Sequence, residues 1–168
     1  MVWSCLVSIL PGMAQTEKLT DYVNPFVGTD GYGNVYPGAQ IPFGGIQISP
    51  DTDSRFYDAA SGYKYNHLTL MGFSLTHLSG TGIPDLGDFL FIPGTGEMKL
   101  EPGTHEDPDQ GYRSRYSHDK EWASPNYYAV ELADYGVKAE MTSGVRSGMF
   151  RFTYPESDNA FIMIDTVS

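Results

Sequence analysis

Apolar and polar positions alternate along this chain in short runs, and turn residues separate them roughly every ten positions in the second half. Residues 127–132 and 137–141 flank Asp134-Tyr135-Gly136, which predicts a β-hairpin. Residues 147–154 alternate as a strand, and residues 160–164 form another, led by the turn Ser157-Asp158-Asn159. Upstream, residues 88–92 predict a strand closed by Pro93-Gly94. Residues 68–73 and 46–48 predict shorter strands, the second ended by Ser49-Pro50-Asp51. Residues 22–27 read as a strand broken by Pro25, and residues 28–34 as a loop with three glycines. No three-turn helix emerges. The best helical stretch, residues 114–123, has a thin apolar face. The expectation is an all-β fold, an antiparallel β-sandwich. Residues 161–165 have the pattern of a buried strand three positions before the last residue, so the sandwich is expected to be truncated at its C-terminal side.

Composition narrows the function. With 168 residues, one domain is the expectation, and 40% hydrophobic residues can supply its core. The 19 Gly and 11 Pro argue against a helical bundle. Ten Lys+Arg against 21 Asp+Glu give a net charge of −11, which excludes a nucleic-acid partner because nothing could neutralise a phosphate backbone. The acidic residues are scattered, as on a solvated surface. Cys5 is the single cysteine, so no intrachain disulfide forms. Residues 2–10 are apolar but too short to span a bilayer. With the break at Pro11-Gly12 and the small Ala14, residues 1–14 read as a signal peptide remnant lacking the usual basic start. Export is therefore expected, and no membrane span.

The chemistry concentrates in residues 72–88. His77, Ser79, Thr81, Asp85 and Asp88 crowd together among Gly80, Gly82 and Gly87. A core strand needs few such donors and acceptors, whereas a loop gripping a hydroxyl-rich ligand needs many. His77 reads equally as a binding residue and as a hydrogen-bonded structural histidine. Asp85 and Asp88 are too close to flank one glycosidic bond as acid and base, and suit hydroxyl acceptors better. Tyr32, Tyr36, Phe56, Tyr57, Tyr63 and Tyr65 could stack on sugar faces or fill the core. His67, His77, His105 and His118 are ten or more residues apart, which is no metal-ligand spacing. Asp51-Thr52-Asp53 is half of a calcium loop without the rest, and reads as a turn. Gly28, Gly31 and Gly33 precede Pro37 and Pro42 and no helix, so they are not a dinucleotide fingerprint. Serine-hydrolase and P-loop motifs are absent from the sequence.

Several blocks together carry a family resemblance. They are Tyr22-Val-Asn-Pro-Phe-Val-Gly-Thr29, Tyr36-Pro-Gly-Ala39, Pro42-Phe-Gly44, Gln47-Ile-Ser-Pro-Asp-Thr52, Gly62-Tyr63, the run from Gly72 to Gly82, and Asp85-Leu-Gly-Asp88. In order and spacing they resemble the N-terminal domain of glycoside hydrolase family 92, the calcium-dependent exo-α-mannosidases of bacteria. The resemblance covers about Asp21 to Pro93 and is looser beyond.

It implies a β-sandwich of the galactose-mutarotase-like supersandwich type over residues 21–168, followed in the family by an (α/α)6-barrel that this chain lacks. That barrel supplies the calcium ligands and both catalytic carboxylates for inverting hydrolysis of terminal α-mannose. No catalytic or metal-binding residue is therefore expected here, and the chain alone should not hydrolyse glycosides. A substrate-pocket role is carried over to His77, Ser79, Gly80, Thr81, Gly82 and Asp85. Leu75 and Ile83-Pro84 depart from the family pattern and would reshape the pocket edge. The implied partners are a mannose-containing glycan and the barrel of the same polypeptide. The implied location is periplasmic, cell-surface or extracellular. The competing readings are a stand-alone carbohydrate-binding or structural module, and a fragment with no function.

Overall fold

The computed structural model describes residues 17–53, 59–84 and 87–166. The expected signal peptide lies outside the described residues. Ten strands are formed among the described residues: β1 (Ser49–Asp51), β2 (Thr69–Leu70), β3 (Gly72–Ser74), β4 (Leu90–Thr95), β5 (Ser114–Arg115), β6 (Glu121–Ser124), β7 (Tyr127–Leu132), β8 (Val137–Ser143), β9 (Gly148–Thr153) and β10 (Ala160–Asp165). One four-stranded sheet has the order β1-β3-β4-β10 and the other β6-β7-β8-β9, while β2 and β5 make a two-stranded ribbon. Every pairing is antiparallel.

The alternating patterns of β7 and β8 set the core. Tyr128, Val130 and Leu132 of β7 and Val137, Ala139 and Met141 of β8 point inward and are buried. Val130, Leu132, Val137 and Met141 each contribute about 1.5–3 kcal/mol through burial, and Ala139 less. The other sheet answers with Phe73, whose ring lies 6.3 Å from Phe150 and 6.0 Å from Phe152 of β9. Phe91 of β4 approaches Phe150 to 5.0 Å. These rings stitch the two sheets into a sandwich. A smaller cluster of Met71, Leu90, Ile92 and Tyr112 covers the opposite face of the first sheet, with Met163 packed against it.

Several local expectations are corrected. Pro93-Gly94 does not close β4, which continues to Thr95 alongside β10. Because β3 meets β4 at Phe91 alone, β4 has an open side beyond that point, where a missing proline N–H breaks no ladder. Ser49-Pro50-Asp51 is not a turn but β1, an edge strand, where proline is again tolerated. Residues 68–73 split at Met71 into strands of different sheets. Residues 22–27 form turns, held by Val27 N–H to Asn24 O and by the Asn24 side chain accepting from Phe26 N–H. Residues 114–123 contribute β5, a single 3-10 turn (His118–Lys120) and the start of β6.

β10 also departs from its buried-strand pattern. Ile164 stands opposite Phe91 and so shares the inner face, as does Ile162 two positions away. Yet these two isoleucines are 53% and 52% exposed. β10 is the last strand of its sheet and β9 the last of the other, so the sandwich is open along that side.

Candidate functional site

The segment marked by its chemistry leaves β3 at Ser74 and returns at β4. Its two ends are tied together: Gly87 N–H donates to Thr76 O at 3.1 Å, and the Thr76 hydroxyl lies 3.4 Å from Asp88 Oδ2. Between these ends, Ser79 and Gly80 are exposed, and Thr81 and Gly82 are half-buried. The Thr81 hydroxyl accepts from Ile83 N–H at 3.2 Å. Gly80 and Gly87 have φ of +75° and +79°, conformations that suit glycine. Asp85 lies outside the described residues, as do Phe56 and Tyr57.

The glycine-rich loop at residues 28–34 meets this segment. Gly80 N–H donates to Asn34 O at 2.6 Å. Asn34 Oδ1 is enclosed beside that junction without a hydrogen-bond partner among the described residues. The loop is anchored at its other end by Tyr65 N–H to Thr29 O and by Lys64 Nζ to Gly31 O. Two polar, glycine-rich loops thus form one rim. Tyr32 stands out from it at 85% exposure, and Tyr65 is partly exposed with its ring stacked on His118. Tyr36 and Tyr63, the other aromatic candidates, are in the core.

His77 lies beneath the rim and not on it, at 5% exposure. Nδ1 is 2.6 Å from the Gln47 carbonyl oxygen, and Nε2 is 2.9 Å from Asp51 Oδ1. The Ser74 hydroxyl donates to Asp51 Oδ2 at 2.7 Å and sits 3.0 Å from His77 Nε2. The Tyr36 ring covers the imidazole at 5.1 Å. Burial pushes the His77 pKa down, but the Asp51 charge and the hydrogen bonds from Asp51 and Gln47 outweigh it, so the net shift is upward. Burial pushes the neighbouring Tyr36 hydroxyl up to about 12.

Two further polar clusters adjoin. Asp53 is fully buried, 3.4 Å from His105 Nε2, and Thr69 Oγ1 is 2.9 Å from His105 Nδ1. The His67 ring is 4.0 Å from His105, and His67 Nδ1 lies 3.0 Å from Thr52 Oγ1. Arg113 donates to Thr52 O and to Thr69 Oγ1. In the second cluster, Tyr63 and Tyr128 donate to the buried Glu121 carboxylate, with His118 Nδ1 2.6 Å away. Burial and the Glu121 charge push both tyrosine hydroxyls up, so they stay protonated donors.

Asp51 and Asp53 are buried against histidines. Among the described residues no three His, Cys, Asp or Glu side chains gather to hold a metal ion. The donors here do not fit a calcium centre. What the rim offers is backbone N–H groups, hydroxyls and an enclosed amide oxygen. Sequence reasoning gave no site role to Gln47, Gly62 or Ser74, and read Asp51 as part of a turn. All four stand in the blocks that carry the family resemblance, which was the available sign.

Residues 22–168 match the glycosyl hydrolase family 92 N-terminal domain. An uncharacterized secreted glycosidase from Arthroderma benhamiae is 30% identical over 139 residues, which is 82% of this chain and 17% of that protein. The solved structure of a family GH92 α-mannosidase from Bacteroides thetaiotaomicron is 99% identical, with a TM-score of 0.88 over 89% of this chain and 20% of its own. That enzyme has also been solved in complex with mannoimidazole. An inverting GH92 mannosidase from the same organism is 28% identical, with a TM-score of 0.68 over the same shares of the two chains, 89% and 20%. The chain thus spans about a fifth of the length of its solved relatives.

Proposed function

Since the chain belongs to the glycosyl hydrolase family 92 N-terminal domain, we propose that it is the non-catalytic domain of an exported α-mannosidase acting on terminal α-mannose of glycans. In this reading the domain completes the substrate pocket and packs on the catalytic barrel of the same polypeptide. The observation that carries it is near-identity, 99%, to one part of a solved α-mannosidase. Ser79, Gly80, Thr81 and Gly82, with Asp85, are the proposed sugar-facing residues, and His77 supports them from below. The enclosed Asn34 Oδ1 beside Gly80 favours a polar ligand at this rim. Calcium and both catalytic carboxylates belong to the barrel in this reading.

Export is supported by the secreted relative. Among the described residues no helix is long and apolar enough to cross a membrane. The half-exposed Ile162 and Ile164 support a covering partner on the open side of the sandwich.

The test compares this chain with the full-length polypeptide that carries it, on a substrate with a terminal α-mannose. The full-length protein should release mannose in a calcium-dependent manner, and this chain alone should release none. A full-length protein that releases no mannose overturns the reading. Sugar binding by a native chain of this size would favour the stand-alone module.

A further inference from the structure

We propose that the buried His77–Asp51 pair is the positioning element of the loop at residues 78–84, fixing it as the rim that meets the glycan. The inference rests on the reading in the preceding subsection. The pair gathers segments that are distant in sequence. Asp51 comes from β1, Gln47 from the chain entering it, Ser74 from the end of β3, and His77 from the foot of the loop.

The turn at Gly62 closes over them. It has φ +88°, and a Cβ there would fall 2.3 Å from Asp51 Oδ1 and 2.9 Å from His77 Cδ2. Only a residue without a side chain lets this turn lie on the pair. The same turn accepts from Thr52 N–H through Gly62 O, so the route from Asp51 toward Asp53 is tied to the pair as well.

The loop above has little packing of its own. Among the described residues, a Cβ at Gly80 would meet nothing within 4 Å, and one at Gly87 would meet only Ser74 Oγ at 3.7 Å. Its fixed points among the described residues include the Asn34 contact, the Thr76–Gly87 closure and His77. The first two involve residues that are exposed or only half-buried, and such contacts open more readily than fully buried ones. His77 is the rigid foot.

Stability does not explain a charged pair here. A buried ion pair is often no more stabilising than apolar residues of the same shape, because desolvation offsets the attraction. What it does supply is direction. The carboxylate accepts from His77 and Ser74 at fixed angles, and the imidazole ring is aimed between Gln47 and Asp51. A Leu or Phe in place of His77 would fill the space without fixing the loop's exit.

The experiment uses the full-length polypeptide with His77→Gln, Asp51→Asn and the milder Ser74→Ala, which keeps both partners of the pair. Leu132→Ala, in the core at the far end of β7, serves as a control for general destabilisation. Amide exchange of residues 78–84 should quicken about tenfold in His77→Gln and Asp51→Asn, less in Ser74→Ala, and not in Leu132→Ala. For mannose release, KM should rise about fivefold or more in the first two while kcat changes less than about threefold. Loop exchange equal to wild type in His77→Gln and Ser74→Ala overturns the inference. Faster exchange with an unmoved KM also overturns it, since the loop would not then meet the sugar. A wild-type protein without mannosidase activity would instead sink the preceding reading, and exchange would still decide the positioning role.

Discussion

A neutral imidazole carries one N–H, yet both ring nitrogens of His77 face acceptors, the Gln47 carbonyl and the Asp51 carboxylate. Only the imidazolium satisfies both. Its pKa is raised in the folded state, because Asp51 and the hydrogen bonds overcome the effect of burial. The stabilisation is therefore fully present below the unfolded value of about 6.5, and is lost as pH rises through the higher folded value. The gap in thermal midpoint between wild type and His77→Gln should accordingly be larger near about pH 6 than near about pH 9. A gap that does not change with pH would contradict the charged state. Glu140 has the opposite sign. Hydrogen bonds from Arg151 and then Tyr127 hold its carboxyl down to about 2. Its stabilisation is present above the unfolded value of about 4.5 and fades as pH falls toward about 2. The difference in midpoint between wild type and Arg151→Gln should close over that interval, as an acid titration of the two proteins would reveal. Sequence pattern pointed to His77 without deciding its role. Its partners lie 26 and 30 positions away in the chain, and no local spacing encodes such a contact.

Elements were readable where their pattern is long. β7, β8, β9 and β10 each have six or seven residues, enough for alternation to show, and all four were expected within a few residues. β1, β2 and β3 have two or three residues and are buried throughout, so no period exists to detect. Their identity comes from partners elsewhere in the chain. β4 was expected to stop at Pro93-Gly94, the usual sign of a turn, and instead runs through it. Gly94 serves the pairing: Phe161 stands opposite, and a Cβ at Gly94 would lie 2.5 Å from the Phe161 ring. The phenyl ring occupies the room that a side chain at Gly94 would take. Gly94→Ala should therefore destabilise by about 1–3 kcal/mol through overpacking, measured by denaturant unfolding. In a Phe161→Ala background the same change should cost much less, because the two sites share that space. Equal cost in both backgrounds would show that Phe161 is not the reason for the glycine.

At the scale of the whole molecule, the sandwich is closed on one side and open on the other. Its buried core is continuous from Ile48 and Phe73 to Val130 and Ala139, but the inner faces of β9 and β10 run out to solvent. Ile162 and Ile164 stand there half-exposed, beside only partly buried Phe150 and Phe152. Apolar surface of this kind on two sheet edges invites association, either with the remainder of a longer polypeptide or between copies. The solved relatives are about five times longer than this chain, which favours the first in the proposed reading. The two alternatives separate on one pair of substitutions. Ile162→Lys with Ile164→Lys should leave the isolated domain folded and make it less prone to self-association, since these side chains already contact water. In the full-length polypeptide the same changes would bury two charges under the covering segment. They should lower its thermal midpoint by several degrees or abolish folding, because a buried unpaired ammonium is strongly destabilising. Unchanged stability of the full-length protein would mean that these strands face solvent there as well, and that the covering partner lies elsewhere on the sandwich.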